Sequence, residues 1–242
     1  MNVLGVILAR AGSAGLKNKH LLPLLGKPVI GYTFDHVRAS GLLSKVVVSS
    51  DSTEILRLAT AAGFETLVRP AELASAEASV QDAMLHAMEQ IESRSQFKAD
   101  ALVVIYGNVP VRPTAAINRA IQMLRETGCD SVRSFCPVGK WHPAWMAQLA
   151  GDRVLPVQPG SVHRRQDLPP LFLHDGGVVA VSRASMLRGR ANPHDPHAFF
   201  GADRRGFETG AGQTVEVDTL RDLYWAEAVL RSTHPDGMRM AS

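Results

Sequence analysis

Long apolar runs are missing from this 242-residue chain. None approaches the ~20 residues of a membrane span, so no membrane association is expected. The N-terminus lacks the basic start and cleavage site of a signal peptide, which makes a cytoplasmic protein the expectation. Cysteine is scarce: only Cys129 and Cys136 occur. A disulfide framework is thereby excluded, and free buried thiols fit a reducing compartment better than the single bridge the pair would allow. No second Cys/His pair with ligand spacing accompanies them, so they predict no metal site. Aromatic residues make up only 6%, the net charge is +3, and the arginines are scattered apart from Arg164-Arg165 and Arg204-Arg205. Nucleic-acid binding wants a basic stripe with stacking platforms, so no nucleic-acid partner is expected. A bound polyanionic small molecule accounts for the small basic excess equally well.

Two further absences concern glycine loops. A P-loop needs G-x-x-x-x-G-K-[ST], but Gly15 is followed by Leu16 and no Ser or Thr stands beyond the lysines. The dinucleotide fingerprint G-x-G-x-x-G fails at Ala14. What remains is an apolar run, Val3 to Leu8, stopping at Ala9-Arg10-Ala11-Gly12-Ser13-Ala14-Gly15-Leu16, with Lys17 and Lys19 just beyond. Such a run bounded by turn residues reads as a buried strand opening into a loop. Glycines bring backbone N–H groups close to a ligand, and Arg10, Lys17 and Lys19 would add charge-assisted hydrogen bonds, as a triphosphate requires. An ordinary glycine turn with solvated lysines fits the same string.

A hydrophobic share of 45% and a charged share of 20% describe a globular chain, with one domain expected over 1–242. Apolar residues at helical spacing predict helices over 29–39, 53–61, 79–92, 115–127 and 219–231. Ser52 and Thr114 are the expected caps of the second and fourth, and Thr219 with Asp222 forms a capping pattern for the last. Short apolar runs predict strands at 45–49, 66–68, 101–106, 131–138 and 178–181. This alternation implies an α/β fold: a Rossmann-like, mostly parallel sheet with helices on both faces and its ligand crevice at the carboxyl ends of the strands. The segment from about 139 to 175 breaks the rhythm and reads as a protruding arm. Arms of this kind pair with a second subunit, so a homodimer is expected.

Near the C-terminus, Thr214–Asp218 alternates and reads as a strand. Glu216 and Asp218 would then face one side, roughly 7 Å apart. Two carboxylates converging on phosphates suit Mg²⁺, which takes one or two protein oxygens and completes its octahedron from water and phosphate. A solvated acidic edge with a helix cap at Asp218 is the alternative.

The chain resembles the CMP-N-acylneuraminate synthetases (acylneuraminate cytidylyltransferases) over almost its full length. The carrying segments are Ile7–Leu16, Lys45–Asp51, Arg69–Ser75 with Ser79 after it, Pro110–Arg112, His142-Pro143, Arg165–Pro169, Asp175–Gly177 and Glu216–Thr219. The resemblance implies that CTP and an acidic α-keto sugar give a CMP-sugar and pyrophosphate. It places the triphosphate on the loop Ala9, Arg10, Ala11, Gly12, Ser13 with Lys19, and the cytidine against Arg69, Ala74 and Ser79. Mg²⁺ falls to Glu216 and Asp218, and the sugar to Tyr106, Asn108 and Arg112. Arg165 and Gln166 would reach the sugar across a dimer interface, Arg165 serving as a carboxylate clamp. Arg10, Lys19 and Asp218 are the implied catalytic residues. His142 reads as structural, and Trp141 and Trp145 as packing for the arm.

Several positions depart from the family pattern. Ala14 replaces a lysine, Lys19-His20 replaces Lys-Asn, Tyr106–Arg112 replaces Q-P-T-S-P-L-R, and Glu216-x-Asp218 replaces D-x-D. These changes leave the identity of the sugar open. They also leave two other readings: a cytidylyltransferase for another 2-keto-3-deoxy sugar acid such as 3-deoxy-manno-octulosonate, or a nucleotide-binding module without turnover.

Overall fold

The computed structural model describes residues 1–12, 15–75, 77–158, 160 and 164–233. Ser13, expected among the triphosphate contacts, lies outside these, as do Ala14 and His163. In chain order the strands are β1 (Val3–Leu8), β2 (Pro23–Leu24), β3 (Lys27–Pro28), β4 (Lys45–Ser50), β5 (Glu65–Val68), β6 (Ala101–Tyr106), β7 (Ser131–Pro137), β8 (Ala147–Ala150), β9 (Arg153–Pro156), β10 (Phe172–Ser182) and β11 (Arg204–Glu208). Among the described residues six α-helices accompany them: α1 (Val29–Arg38), α2 (Thr53–Ala61), α3 (Val80–Arg94), α4 (Ala116–Thr127), α5 (Arg183–Arg190) and α6 (Leu220–Thr233).

Seven strands form one sheet in the order β11-β7-β10-β6-β1-β4-β5. Every pairing is parallel except those of β10, which runs antiparallel to both β6 and β7. All six residues of β1 are buried because both its faces are covered. Val3 and Ile7 pack with α1, α2 and α4 on one side, while Leu4, Val6 and Leu8 pack with α3 on the other. Each such side chain contributes about 1.5–3 kcal/mol of burial, so the crowded centre of the sheet fixes where the loop after Leu8 emerges.

Local chemistry sets the helix starts. Ser52 Oγ accepts from Ile55 N, and Ser79 Oγ accepts from Asp82 N. At α6 the expected box forms, with Asp222 Oδ2 accepting from Thr219 N at 2.8 Å and Thr219 Oγ1 accepting from Asp222 N at 3.4 Å.

Three sequence expectations need correction. Thr114 does not cap α4: the helix begins at Ala116, whose N–H is satisfied by the Pro113 carbonyl in a turn. Strand β10 starts at Phe172, not Val178, because its pairing with β7 resumes beyond an irregularity between His174 and Val179. Thr214–Asp218 is extended but is no strand, making a single antiparallel bridge from Val215 to Val111. Its partner segment carries Pro110 and Pro113, which cannot donate to a ladder.

Within the expected arm, β8 and β9 pair as an antiparallel hairpin, and every residue from 145 to 158 is exposed. Trp141 is also exposed, at 66%, so it does not pack the arm within this chain. Both cysteines are free. No helix among the described residues is long and apolar enough to cross a membrane.

Candidate active site

Parallel strands deliver their following loops to one edge of the sheet, and a cleft of about 210 Å³ opens there. Arg10 (after β1), Arg69 (after β5), Ser79 (the α3 cap), Tyr106 (the end of β6), Asn108 (after β6) and Glu216 all line it, together with Lys19 and His20. The loop is held open from behind: Ala9 N donates to the Ser49 carbonyl, and Ala11 N donates to Asp51 Oδ1 at 2.7 Å. Arg10 reaches across to the Ser75 carbonyl at 2.7 Å. Arg69 is nearly buried and donates to Ser49 Oγ and the Ser49 carbonyl, so its position is fixed before any ligand arrives. Burial brings its pKa down to about 10, which still leaves it charged at neutral pH.

His20 sits among these cations at 3% exposure. Burial, then Lys19 and Arg69, push its pKa down to about 3, and the ring is neutral. In the sequence His20 stands out only as a departure from Lys-Asn; its place between three cations depends on the tertiary fold.

The two acids converge although their segment is not a strand. Asn108 Nδ2 donates to Glu216 Oε1 (3.1 Å), to the Val217 carbonyl (3.1 Å) and to Asp218 Oδ1 (3.4 Å), so one amide touches both carboxylates. Lys19 Nζ lies 2.5 Å from Asp218 Oδ1, tying the basic loop to the acidic pair. Burial, followed by the neighbouring Asp218, raises the pKa of Glu216. Gly15 is demanded by this proximity, since a Cβ there would stand 2.7 Å from the Asp218 carbonyl oxygen. Gly176 meets Glu216 in the same way: it has φ +72° and a Cβ would lie 2.8 Å from Glu216 Oε2.

The remaining expected residues are dispersed. Ala74 closes a short turn next to the cleft-lining Leu73 and Ser75, and Gly12 is exposed in the loop. Lys17 points to solvent. Arg112 is buried beneath the site: Nε donates to the Gly177 carbonyl at 2.5 Å, one terminal nitrogen donates to the Tyr106 carbonyl, and the other contacts His36 Nδ1 at 3.1 Å. It braces the elements beneath the cleft and is not among the residues that line it. Arg165 and Gln166 line a separate cavity with Gly139 and His142. His142 is structural, as expected, accepting from Ala144 N and contacting the Pro169 carbonyl.

A mostly parallel α/β sheet, with cations and paired acids meeting at its carboxyl edge, defines the nucleotidyltransferase-like class. The chain belongs to the cytidylyltransferase family, whose profile matches residues 4–174. It is 28% identical over 227 residues to the N-acylneuraminate cytidylyltransferase of Streptococcus agalactiae serotype III (strain NEM316), covering 92% of this chain but 52% of the relative. This chain thus spans about half the length of those first curated relatives. It is 25% identical over 238 residues to the pseudaminic acid cytidylyltransferase of Campylobacter jejuni subsp. jejuni serotype O:23/36 (strain 81-176), covering 97% and 98% of the two chains. Among solved structures, a CMP:2-keto-3-deoxy-manno-octonic acid synthetase complexed with CTP superposes with a TM-score of 0.74 at 20% identity, covering 97% of this chain and 100% of the other. That likeness establishes the shared fold.

Proposed function

We propose that the chain couples CTP to an acidic nonulosonic (sialic-acid-like) sugar, releasing pyrophosphate and forming the CMP-sugar. One observation carries this reading: Arg10, Lys19, Arg69 and Glu216 line a single cleft, and Lys19 grips Asp218 at its rim. The names of the relatives, N-acylneuraminate and pseudaminic acid cytidylyltransferases, support the sugar class.

The residues suit Mg²⁺. Two carboxylates are bridged by one amide, and among the described residues only Asp218 of the two has an ion-pair partner, which leaves Glu216 for the charge a divalent ion would supply. Glu216 and Asp218 would hold it, and its role would be to polarise phosphate oxygens. The sugar's anomeric oxygen bonds to the α-phosphorus, the bond to the pyrophosphate oxygen breaks, and the hydroxyl proton passes to solvent. Arg10, Lys19 and the loop N–H groups stabilise the charge that accumulates on the phosphates, and their fixed positions spare reorganisation during transfer. His20 stays neutral, so it adds no competing charge. Ser79 and Arg69 face the nucleoside, and Tyr106 and Asn108 face the sugar.

The exposed hairpin supports a homodimer in which Arg165 and Gln166 reach a neighbouring subunit's sugar. The free thiols fit a cytoplasmic setting. Purified protein with CTP, Mg²⁺ and a panel of 2-keto-3-deoxy sugar acids is expected to release pyrophosphate with at least one. CTP binding without release on any member overturns the reading in favour of a binding module.

A further inference from the structure

The sheet order divides the edge of the sheet into two sides. Arg69, Ser79 and the phosphate loop lie toward β1, β4 and β5. The second substrate must therefore extend the other way, past Tyr106 and over β10 toward β7. On that side the register sets Arg133 of β7, Val179 of β10 and Val104 of β6 in one row. Paired residues in a row project to the same face of a sheet. Val104 and Val179 pack with α3 and Phe200, and Tyr106, two residues beyond Val104, packs on the same face. Arg133 therefore emerges on the Tyr106 side.

Its guanidinium is unusual for this chain. It lies 4.4 Å from the Phe200 ring centre and 5.1 Å from that of Phe135. Its Nε is buried with no hydrogen-bond partner, and among the described residues no carboxylate pairs with it. Arg10, Arg69 and Arg112 are all held by carbonyls or hydroxyls. Two aromatic faces orient the fork without spending its donors. Its charge also reaches the Tyr106 phenol at the cleft. An uncommitted, half-buried arginine costs stability unless something anionic meets it.

We infer that Arg133 receives the carboxylate of the acidic sugar, making it a specificity-determining residue supplied by the same chain as the nucleotide site. The inference rests on the proposed function. Arg165 lines a different cavity of its own chain, and in the proposed dimer it approaches the sugar from the neighbouring subunit, whereas Arg133 belongs to the subunit that holds the nucleotide.

The test uses Arg133→Gln and Arg133→Lys beside the unaltered enzyme, with saturating CTP and whichever sugar acid the panel identifies. Arg133→Gln should raise KM for the sugar about tenfold to a hundredfold, leave KM for CTP within about twofold, and be partly rescued in Arg133→Lys. A sugar with its carboxylate converted to the carboxamide should bind both enzymes equally poorly. An unchanged sugar KM in Arg133→Gln overturns the inference, as does an equal rise for the carboxamide or a matching rise in KM for CTP, which also reports a general folding defect. An unaltered enzyme that converts no panel member removes the proposed function and this inference with it. Turnover with an Arg133-independent KM removes the inference alone.

Discussion

Lys19 and Asp218 come from positions 199 residues apart in the sequence, and their 2.5 Å contact is the point at which the basic loop and the acidic pair become one site. Asp218 is more than half exposed, so the fold does not lean on it. Asp218→Asn keeps the size of the side chain and removes its charge. We expect kcat to fall by about 10²–10³, the usual cost of losing one charge-stabilising group, with unfolding by urea unchanged and the Mg²⁺ dependence weakened. Wild-type turnover with the same Mg²⁺ titration would show the metal assignment to be wrong. Much of this site was legible residue by residue. Arg10 and Lys19 follow a buried run directly, and Glu216 with Asp218 needs only an extended backbone to align. The state of Arg112 was not legible, because whether an arginine faces a ligand or braces carbonyls depends on Gly177 and Tyr106, which no local pattern connects to it. Arg133 escaped for the same reason: its isolation arises from neighbours on two other elements.

Five of the six α-helices among the described residues and the central strands are legible in the sequence because their signals are local, whereas α5 and β11 are not foreseen. Ser52, Ser79 and the Thr219–Asp222 pair mark helix starts by chemistry that needs no tertiary contact. The misreadings fall where tertiary pairing decides. Thr214–Asp218 alternates like a strand, yet the segment it bridges to is broken by prolines, and β10 reads short in the sequence because its first residues pair across an irregularity. The arm was legible as a break in rhythm and emerges as a hairpin with Leu149 paired to Val154 at 75% and 64% exposure. A two-stranded hairpin is at best marginal alone, and apolar residues at this exposure call for a covering surface. A second copy of the chain is the proposed cover. Light scattering at tens of micromolar should therefore give a dimer, and Leu149→Asp with Val154→Asp should give a monomer with an unchanged circular dichroism spectrum. A monomeric unaltered chain would remove the dimer proposal.

At the scale of the whole molecule, charge is segregated: cations gather at the cleft, and the histidines behind them are kept neutral. His20 faces Lys19, Arg69 and Arg10, while His36 faces Arg112, Lys27 and Asp35, and burial leads the causes that hold each at about 3. Burial also lowers His86 and His174. An unfolded histidine takes its proton near 6.5. Between about pH 6.5 and 3 the unfolded chain therefore binds more protons than the native one, and stability rises with pH across that window. The contribution is complete above 6.5 and is lost on acidification, at about 1.4 kcal/mol per pH unit for each fully neutral buried ring. The depressed carboxylates Asp130, Asp175 and Asp222 add a loss of the same sign lower down, as pH falls below their ordinary range. Glu216, with its raised pKa, works in the opposite direction but is one group against several. Urea unfolding should thus show a marked loss of stability between pH 7 and pH 5, before ordinary carboxylates titrate. His36→Gln lies outside the cleft and offers Arg112 a neutral acceptor in place of the ring nitrogen. The variant should flatten the pH slope by about one histidine's share. Equal stability of the unaltered protein at both pH values would mean that the buried rings are protonated in the native state, and the neutral wall behind the basic cleft would not exist.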